Sequence, residues 1–315
     1  MLANQKLMRK KETVAVRTDW KRNHVFYLMA LPGILSLLAF SYGPMGGLAV
    51  AFLDYNPIKG IMNSSFVGWK HFQTALNTRF MWDAIRNTVV IKVGQSLVTF
   101  PFSIILALLL SEASKRYRKV VQTATIMPYF ISWVVVASMF RTLLSTNGGL
   151  INSVLIQWFG WKKGMDFLSN PVFFRYLVIF QDTWKMSGYF AIIYLAAITA
   201  IDETLYEVAR IDGAGRWRQM WNITVPCIRP TILTLGIMLT GYLIIGPFDQ
   251  IYTQYGPAVY STGDIVETYA FRVGYQNQKY GFSTAVGLMQ SIIATLLVVG
   301  ANFIIRRVSA DESMM

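Results

Sequence analysis

Charged residues make up only 14% of this 315-residue sequence, where a water-soluble domain of similar size carries about a quarter. So little charge cannot cover a water-facing surface, and a soluble globular fold is excluded. Cysteine is nearly absent. Cys227 stands alone, which rules out an intramolecular disulfide and any cysteine-based metal cluster. His24 and His71 are the only histidines and share no metal-ligand spacing, so each reads as an interfacial side chain. No G-x-x-x-x-G-K-S/T loop occurs, so nothing here cradles the phosphates of ATP. The sequence also lacks a His/Asp/Glu constellation and a nucleophile elbow, which argues against a membrane-embedded enzyme. We expect no metal or cofactor on this chain.

What it has in excess is apolar material: 54% of residues, with mean hydropathy +0.41. This material is gathered into six blocks: Val25 to Leu53 (interrupted by Ser41-Tyr42-Gly43-Pro44), Thr88 to Leu110, Val121 to Leu144, Phe173 to Ile201, Ile228 to Tyr252 and Phe282 to Ile305. Each reaches the ~20 residues that a helix needs to cross ~30 Å of hydrocarbon. The expected fold is an all-α integral membrane protein with six transmembrane helices. The first block is longer than a signal-peptide core and lacks an A-x-A site, so it reads as a retained helix. The expected layout is a tail over 1–24, a first span over 25–53 and an extracellular loop over 54–87. A five-helix core over 88–305 follows, carrying a cytoplasmic loop at 202–229, and a tail over 306–315 ends the chain.

The net charge of +13 is a topology signal rather than a nucleic-acid footprint, because the basic residues sit in short runs beside the apolar blocks. With the N-terminus inside, the inner segments 1–24, 112–120, 202–229 and 306–315 hold 17 Lys/Arg. The outer segments 54–82, 145–172 and 253–282 hold 7. That asymmetry places both termini in the cytoplasm. Outside, the stretch after Gly148-Gly149-Leu150-Ile151-Asn152 carries Trp158, Phe159, Trp161 and Phe167. It reads as a short helix on the outer face, either a membrane-edge anchor or a landing surface for an extracellular partner.

The inner segment from Asp202 to Pro226 reads as a helix–turn–helix. Asp202 is a good N-cap, with Thr204 and Glu207 offering an alternative capping box. Asp212-Gly213 supplies the break, since glycine tolerates positive φ. Trp217, Met220 and Trp221 then fall on one apolar stripe at i, i+3, i+4. Pro226 closes the second helix, and Pro230 suits the first turn of the next. Two tryptophans on a short cytoplasmic helix need cover, since burying each ring is worth roughly 1.5–3 kcal/mol or more. Either the protein's own helix ends cover them, or they dock into a partner.

This stretch resembles a known family. Glu207-Val208-Ala209, three residues, Gly213, nine residues, then Ile223-Thr224-Val225-Pro226 is similar to the E-A-A, G, I-x-L-P loop of binding-protein-dependent ABC importer permeases. Val208 and Val225 are mild departures from it. Further stretches resemble the LplB-like oligosaccharide permeases of the maltose-permease class, among them Leu31-Pro32-Gly33, Asp54-Tyr55-Asn56-Pro57, Pro128-Tyr129-Phe130-Ile131-Ser132-Trp133 and Tyr194-Leu195-Ala196-Ala197. The resemblance implies a type I importer in a bacterial inner or plasma membrane. Its expected partners are a second permease, two copies of an ABC ATPase that hold ATP and Mg, and an extracellular sugar-binding lipoprotein. It implies import of an oligosaccharide, acidic ones included, by alternating access. Carried over by position, Glu207, Ala209, Asp212, Gly213, Ala214, Trp217, Ile223 and Pro226 belong to the joint with the ATPase. The loop is common to permeases for many solutes, so a non-sugar cargo such as glycerol phosphate or a polyamine stands as the alternative. A self-sufficient secondary carrier would require an internal repeat, and none is visible.

Polar residues in the apolar blocks are the candidates for the cargo pathway, because a centrally placed Asp or Lys costs roughly 2.5–3.5 kcal/mol in lipid. They are Gln95, Trp133, Gln181, Asp182, Trp184, Lys185, Tyr189, Tyr242 and Asp249, with Lys92, Thr99 and Gln250 beside them. Asp182 and Lys185 are three apart on one helix, which predicts an ion pair. Each of the others also reads as helix–helix glue.

Overall fold

The computed structural model describes the backbone of residues 20–308 and the side chains of residues 24–303. Most of the tail expected over 1–24, and residues 309–315 of the tail expected over 306–315, lie outside the described residues. Two compact units are present, Met1–Val50 and Ala51–Met315. The first contains α1 (Trp20–Leu37), which carries Pro32 inside it and passes through a π turn (Leu38–Tyr42) into a 3-10 stretch (Gly43–Phe52). Its apolar side chains stand exposed, Phe26, Met29 and Phe40 among them.

The second unit opens with a two-stranded antiparallel hairpin, β1 (Leu53–Asp54) and β2 (Ser65–Phe66), in which Leu53 faces Phe66. A short helix α2 (Lys70–Asn77) leads into α3 (Arg79–Glu112). The helix α3 begins at Arg79 rather than at Thr88, and it is built inside out. Its buried positions include Asn87, Thr88, Gln95, Thr99 and Ser103, at helical spacing. Leu97, Phe102, Ile105 and Leu109 face outward and are exposed. Apolar side chains outside and polar ones inside are what a lipid solvent selects.

The helix α3 packs against α7 (Pro171–Thr199) along most of its length. The N-terminus of α7 is capped by Asn170, whose side chain accepts from the amides of Val172 and Phe173, with Pro171 in the first turn. Three buried apolar clusters are strung along α3. One joins Met81 and Ala84 to Phe282 and Val286; a middle one joins Ile91 to Phe174 and Val178; the third joins Ala107 and Leu108 to Tyr194, Ile198 and Ile228. The last described helix is α14 (Tyr280–Val308).

Among the described residues three helices are long and apolar enough to cross a membrane alone, and the number rises to as many as six if each of three bent pairs is one span. The third apolar block is one such pair rather than a straight span. The helix α4 (Lys115–Ile126) runs through a 3-10 turn (Met127–Phe130) and breaks at Ile131-Ser132, and α5 (Trp133–Leu143) leaves at 101°. Pro128 and the capping hydroxyl of Ser132, which accepts from the Val135 amide, account for the break. Close packing sharpens this region. A Cβ on Gly188 of α7 would lie 2.0 Å from the carbonyl oxygen of Thr125, so only glycine lets α7 and α4 touch there.

The fifth block is also discontinuous. The helix α10 (Arg229–Gly241) stops, residues 242–247 leave helical geometry, and α11 (Phe248–Tyr252) resumes. Gly246-Pro247 does not continue the helix, and the freed backbone groups find side-chain partners: Glu267 accepts from the Gly246 amide, and Gln290 donates to the Ile244 carbonyl. Pro230 sits in the first turn of α10 as its sequence position predicts. Two short helices, α12 (Tyr260–Gly263) and α13 (Val266–Phe271), complete the fold before α14. The outer-face helix expected after Gly149 is α6 (Leu150–Phe159), with Trp158 and Phe159 exposed. Phe167 is not part of that exposed rim; it is buried with Leu144 and Leu177.

Candidate functional site

The inner segment folds as an elbow. The helix α8 (Glu203–Ile211) starts at Asp202, whose carboxylate accepts the Thr204 amide at 3.0 Å. That hydrogen bond holds the Asp202 carboxyl below the usual carboxylate range. The alternative capping box does not form the start of α8. The C-terminus closes in a Schellman motif: the Gly213 amide donates to Arg210 O at 3.1 Å, and the Ala214 amide to Ala209 O at 2.8 Å. Gly213 carries φ +75°, the left-handed region that the motif requires. Ala209 and Gly213 of the sequence motif are thus the two ends of one turn.

The second arm is α9 (Arg216–Cys227), which contains a π turn over Met220–Thr224. Pro226 lies in its last turn, and the chain bends by 56° into α10. Two contacts brace the arms. The Tyr206 and Thr224 hydroxyls meet at 2.9 Å, and Gln219 Nε2 donates to Ala214 O at 2.7 Å. Arg216 reaches Glu112, the last residue of α3, at 3.7 Å. The single stripe expected from Trp217, Met220 and Trp221 is divided. Met220 packs on the cluster around Ile228, while Trp217 and Trp221 point outward at 70% and 52% exposure, edge to face at 6.0 Å. The protein's own helix ends leave both rings open. Val208 and Ile211 on α8 are exposed with them, and so are Glu207, Asp212, Gly213 and Pro226, whereas Ala209, Ala214 and Ile223 are half-buried.

The polar residues inside the bundle pair differently from expectation. Among the described residues no ion pair joins Asp182 and Lys185. Lys185 is buried, and its ammonium donates to the carbonyls of Pro128 (3.2 Å), Tyr129 (2.7 Å) and Ile131, beneath the rings of Trp133 and Tyr129. It pins the α4–α5 break. Three backbone carbonyls gathered at a broken helix outcompete a carboxylate that already accepts from Thr99 Oγ1 at 3.0 Å. Gln95 and Gln181 are not free to face a channel either. Gln95 donates to Gln250 at 3.0 Å, Gln250 donates to Val178 O at 2.7 Å, and Gln181 and Gln254 exchange bonds at 3.0 and 2.7 Å. All four amides are buried. Tyr189 stacks on Tyr129 at 4.5 Å, and Trp184 meets Phe140 edge-on at 6.1 Å. Tyr242 and Asp249 are exposed on either side of the α10–α11 break, and Trp133, Asp182, Trp184 and Tyr189 are partly open.

Sequence reasoning missed Gln254, Glu267, Gln290 and Thr183, whose hydroxyl meets that of Thr99 at 3.0 Å. The i, i+4 spacing of Gln250 and Gln254 was one available signal. Gln290 sits inside the sixth apolar block, where a lone amide was another, whereas Glu267 lies in the middle of the outer segment 253–282 and gave none.

The second unit thus carries a braced elbow with two uncovered tryptophan rings. Residues 99–310 match the family model of the binding-protein-dependent transport system inner membrane component. The chain belongs to this family. This permease is therefore a transport subunit and a multi-pass membrane protein. It is 42% identical over 277 residues to the polygalacturonan/rhamnogalacturonan transport system permease protein YteP of Bacillus subtilis (strain 168), covering 88% of this chain and 86% of that one. It is 37% identical over 288 residues to LplB of the same organism, covering 91% and 90%. Its fold matches a chain of the bacterial alginate ABC transporter crystallised with an alginate pentasaccharide-bound periplasmic protein, at a TM-score of 0.84 and 38% identity, over 93% of this permease and 98% of that chain.

Proposed function

We propose that this permease is the membrane-spanning subunit of an ATP-driven importer that carries oligosaccharides, acidic ones included, into a bacterial cell across its inner or plasma membrane. The observation that carries the reading is the elbow: Trp217 and Trp221 stand uncovered on a braced, capped turn. Its side of the membrane is the cytoplasm, by the lysine and arginine asymmetry. A groove on a partner ATPase is the natural cover for those rings, and an ATPase of this kind, with its ATP and Mg, supplies the energy. A second permease completes the translocation path, and an extracellular sugar-binding lipoprotein delivers the cargo. The sugar assignment is supported by the relatives, whose printed names cite polygalacturonan, rhamnogalacturonan and alginate.

Force applied at the elbow has a covalent route inward, since α7 enters the elbow directly through Asp202. The Tyr206–Thr224 contact joins the two arms to each other, and the exposed Arg216–Glu112 pair touches α3. Alternating access then amounts to a movement of α3 and α7 that opens the bundle to one side or the other. Among the cargo-path candidates, Trp133, Trp184, Tyr189, Tyr242 and Asp249 keep accessible surface, and aromatic faces with a nearby polar group suit sugar rings.

The test is a Trp217→Ala/Trp221→Ala permease co-expressed with the partner subunits. The variant should insert and melt as the parent does, yet lose the ATPase on purification and lose uptake of oligogalacturonate. Retention of both ATPase and uptake overturns the reading. Gly213→Pro should give the same loss by breaking the turn itself.

A further inference from the structure

At the end of the bundle opposite the elbow the surface is polar, aromatic and hollow. Glu112 fixes one end of α3 at the elbow through Arg216. The other end, Arg79, lies ~51 Å away at 1.5 Å per residue. There α2 and the start of α14 close on each other through the cluster of Ala75, Met81, Phe282 and Val286. Two clefts open beside this cluster, between the β1–β2 hairpin and the turn before α14, with volumes of about 590 and 470 Å³. Both fall in the range of small-ligand sites. They share one wall, formed by Asp54, Tyr55, Gln278 and Tyr280. Because that wall belongs to both, the two count below as the lobes of one site.

Three features of that cleft point to a ligand. Tyr55 and Tyr280 meet edge to face at 5.9 Å in the shared wall and present ring surface to the lobes. Lys59 lines one lobe, Lys70 and Lys279 line the other, and Asp54 is the sole carboxylate in either lining. Gln278 carries φ +58°, the one non-glycine with positive φ among the described residues. Left-handed backbone at such a residue costs free energy and persists where the surroundings hold it. Here the Lys279 amide donates to Val273 O and the Asn277 amide to Arg272 O, at 3.2 Å each, which fixes the turn with Gln278 on the shared wall and Lys279 in one lobe.

We propose that this two-lobed cleft is an outer-face receptor site for a carboxylated oligosaccharide, engaged before translocation. Phenol rings take the apolar C–H face of a sugar, Gln278 and the neighbouring Asn56 and Asn277 take its hydroxyls, and the lysines take carboxylates through charge-assisted hydrogen bonds. The site rests on the oligosaccharide reading above for the class of cargo, and it adds the requirement for negative charge.

The experiment uses the assembled importer in nanodiscs, without the binding protein, titrated calorimetrically with trigalacturonate and with its methyl ester. Trigalacturonate should bind and the ester should bind about tenfold more weakly, the loss of roughly one charge-assisted hydrogen bond. Lys70→Ala/Lys279→Ala should weaken trigalacturonate by a similar factor, and Tyr280→Ala should weaken both probes. Uptake by the lysine variant should fall at limiting trigalacturonate and recover at saturation. Equal binding of acid and ester, or unchanged binding by the lysine variant, overturns the proposal. So does a variant that keeps sugar binding but no longer captures the binding protein, since the cleft is then a protein-docking face. Wild-type importer that transports no oligosaccharide at all would instead sink the cargo reading.

Discussion

Replacing Lys185 by methionine separates two accounts of the buried charge. In the structure its ammonium serves three backbone carbonyls at the α4–α5 break. Its removal leaves the Tyr129 and Ile131 carbonyls without this donor at about 1–3 kcal/mol each, while Pro128 O keeps the Ile131 amide at 3.2 Å. Relief from holding an ammonium in the membrane returns about 2.5–3.5 kcal/mol, so the net destabilisation centres on about 1 kcal/mol. At ~2–4 °C per kcal/mol that is a fall in melting temperature of ~2–4 °C, measured by fluorescence-detected size exclusion of the detergent-solubilised protein. Asp182→Asn should lower it far less, because an asparagine oxygen still accepts from Thr99 Oγ1. The double variant should show the sum of the two single effects, within about 0.5 kcal/mol. Equal losses in the two single variants, with a coupling well above that value, would restore an Asp182–Lys185 ion pair and refute the account.

Gly188→Leu should abolish accumulation of folded protein in the membrane, because its Cβ alone meets Thr125 O at 2.0 Å; Western quantification of detergent-soluble protein measures this. Gln250→Leu should destabilise the bundle by roughly 2–4 kcal/mol, since it strips partners from Gln95 and from the Val178 carbonyl, and thermal melting reads it. Below the ordinary aspartate range the α8 cap should loosen. The Asp202 carboxyl is depressed in the folded state, so its contribution is complete above the unfolded pKa and is lost as pH falls through the folded one. The protection factor of the Thr204 amide should then fall at acid pH in the parent and hold in Asp202→Asn, whose amide oxygen caps without titrating.

How much of this was legible follows from the distance over which each residue's environment is decided. The elbow is local. Asp202, Ala209, Gly213 and Ala214 make their hydrogen bonds within six positions of one another, so spacing alone describes the turn. The six apolar blocks are local too, since each is an average over about twenty neighbours. Pairing inside the bundle is not. Lys185 finds carbonyls 54 to 57 residues earlier, and Gln95 finds an amide 155 residues later. The i, i+3 rule named Asp182 as the lysine's partner because it considers one helix only. Which acceptors a neighbouring helix leaves free depends on where that helix breaks, and Ser132 or Gly246 announces a break without saying what lies opposite.

The two breaks explain why this permease keeps charged and amide side chains in lipid. A discontinuous helix frees amides and carbonyls that no water reaches, and each such group costs several kcal/mol unless paired. At Ile131-Ser132 the partner is Lys185; at residues 242–247 the partners are Glu267 and Gln290. Those side chains are committed to backbone, as Gln95, Gln181, Gln250 and Gln254 are committed to one another and to the Val178 carbonyl. The two most exposed of the polar candidates, Tyr242 and Asp249, flank a break rather than fill it. A bent span therefore has two kinds of polar residue, those that make the bend tolerable and those that the bend presents. Only the second kind is free to change partners.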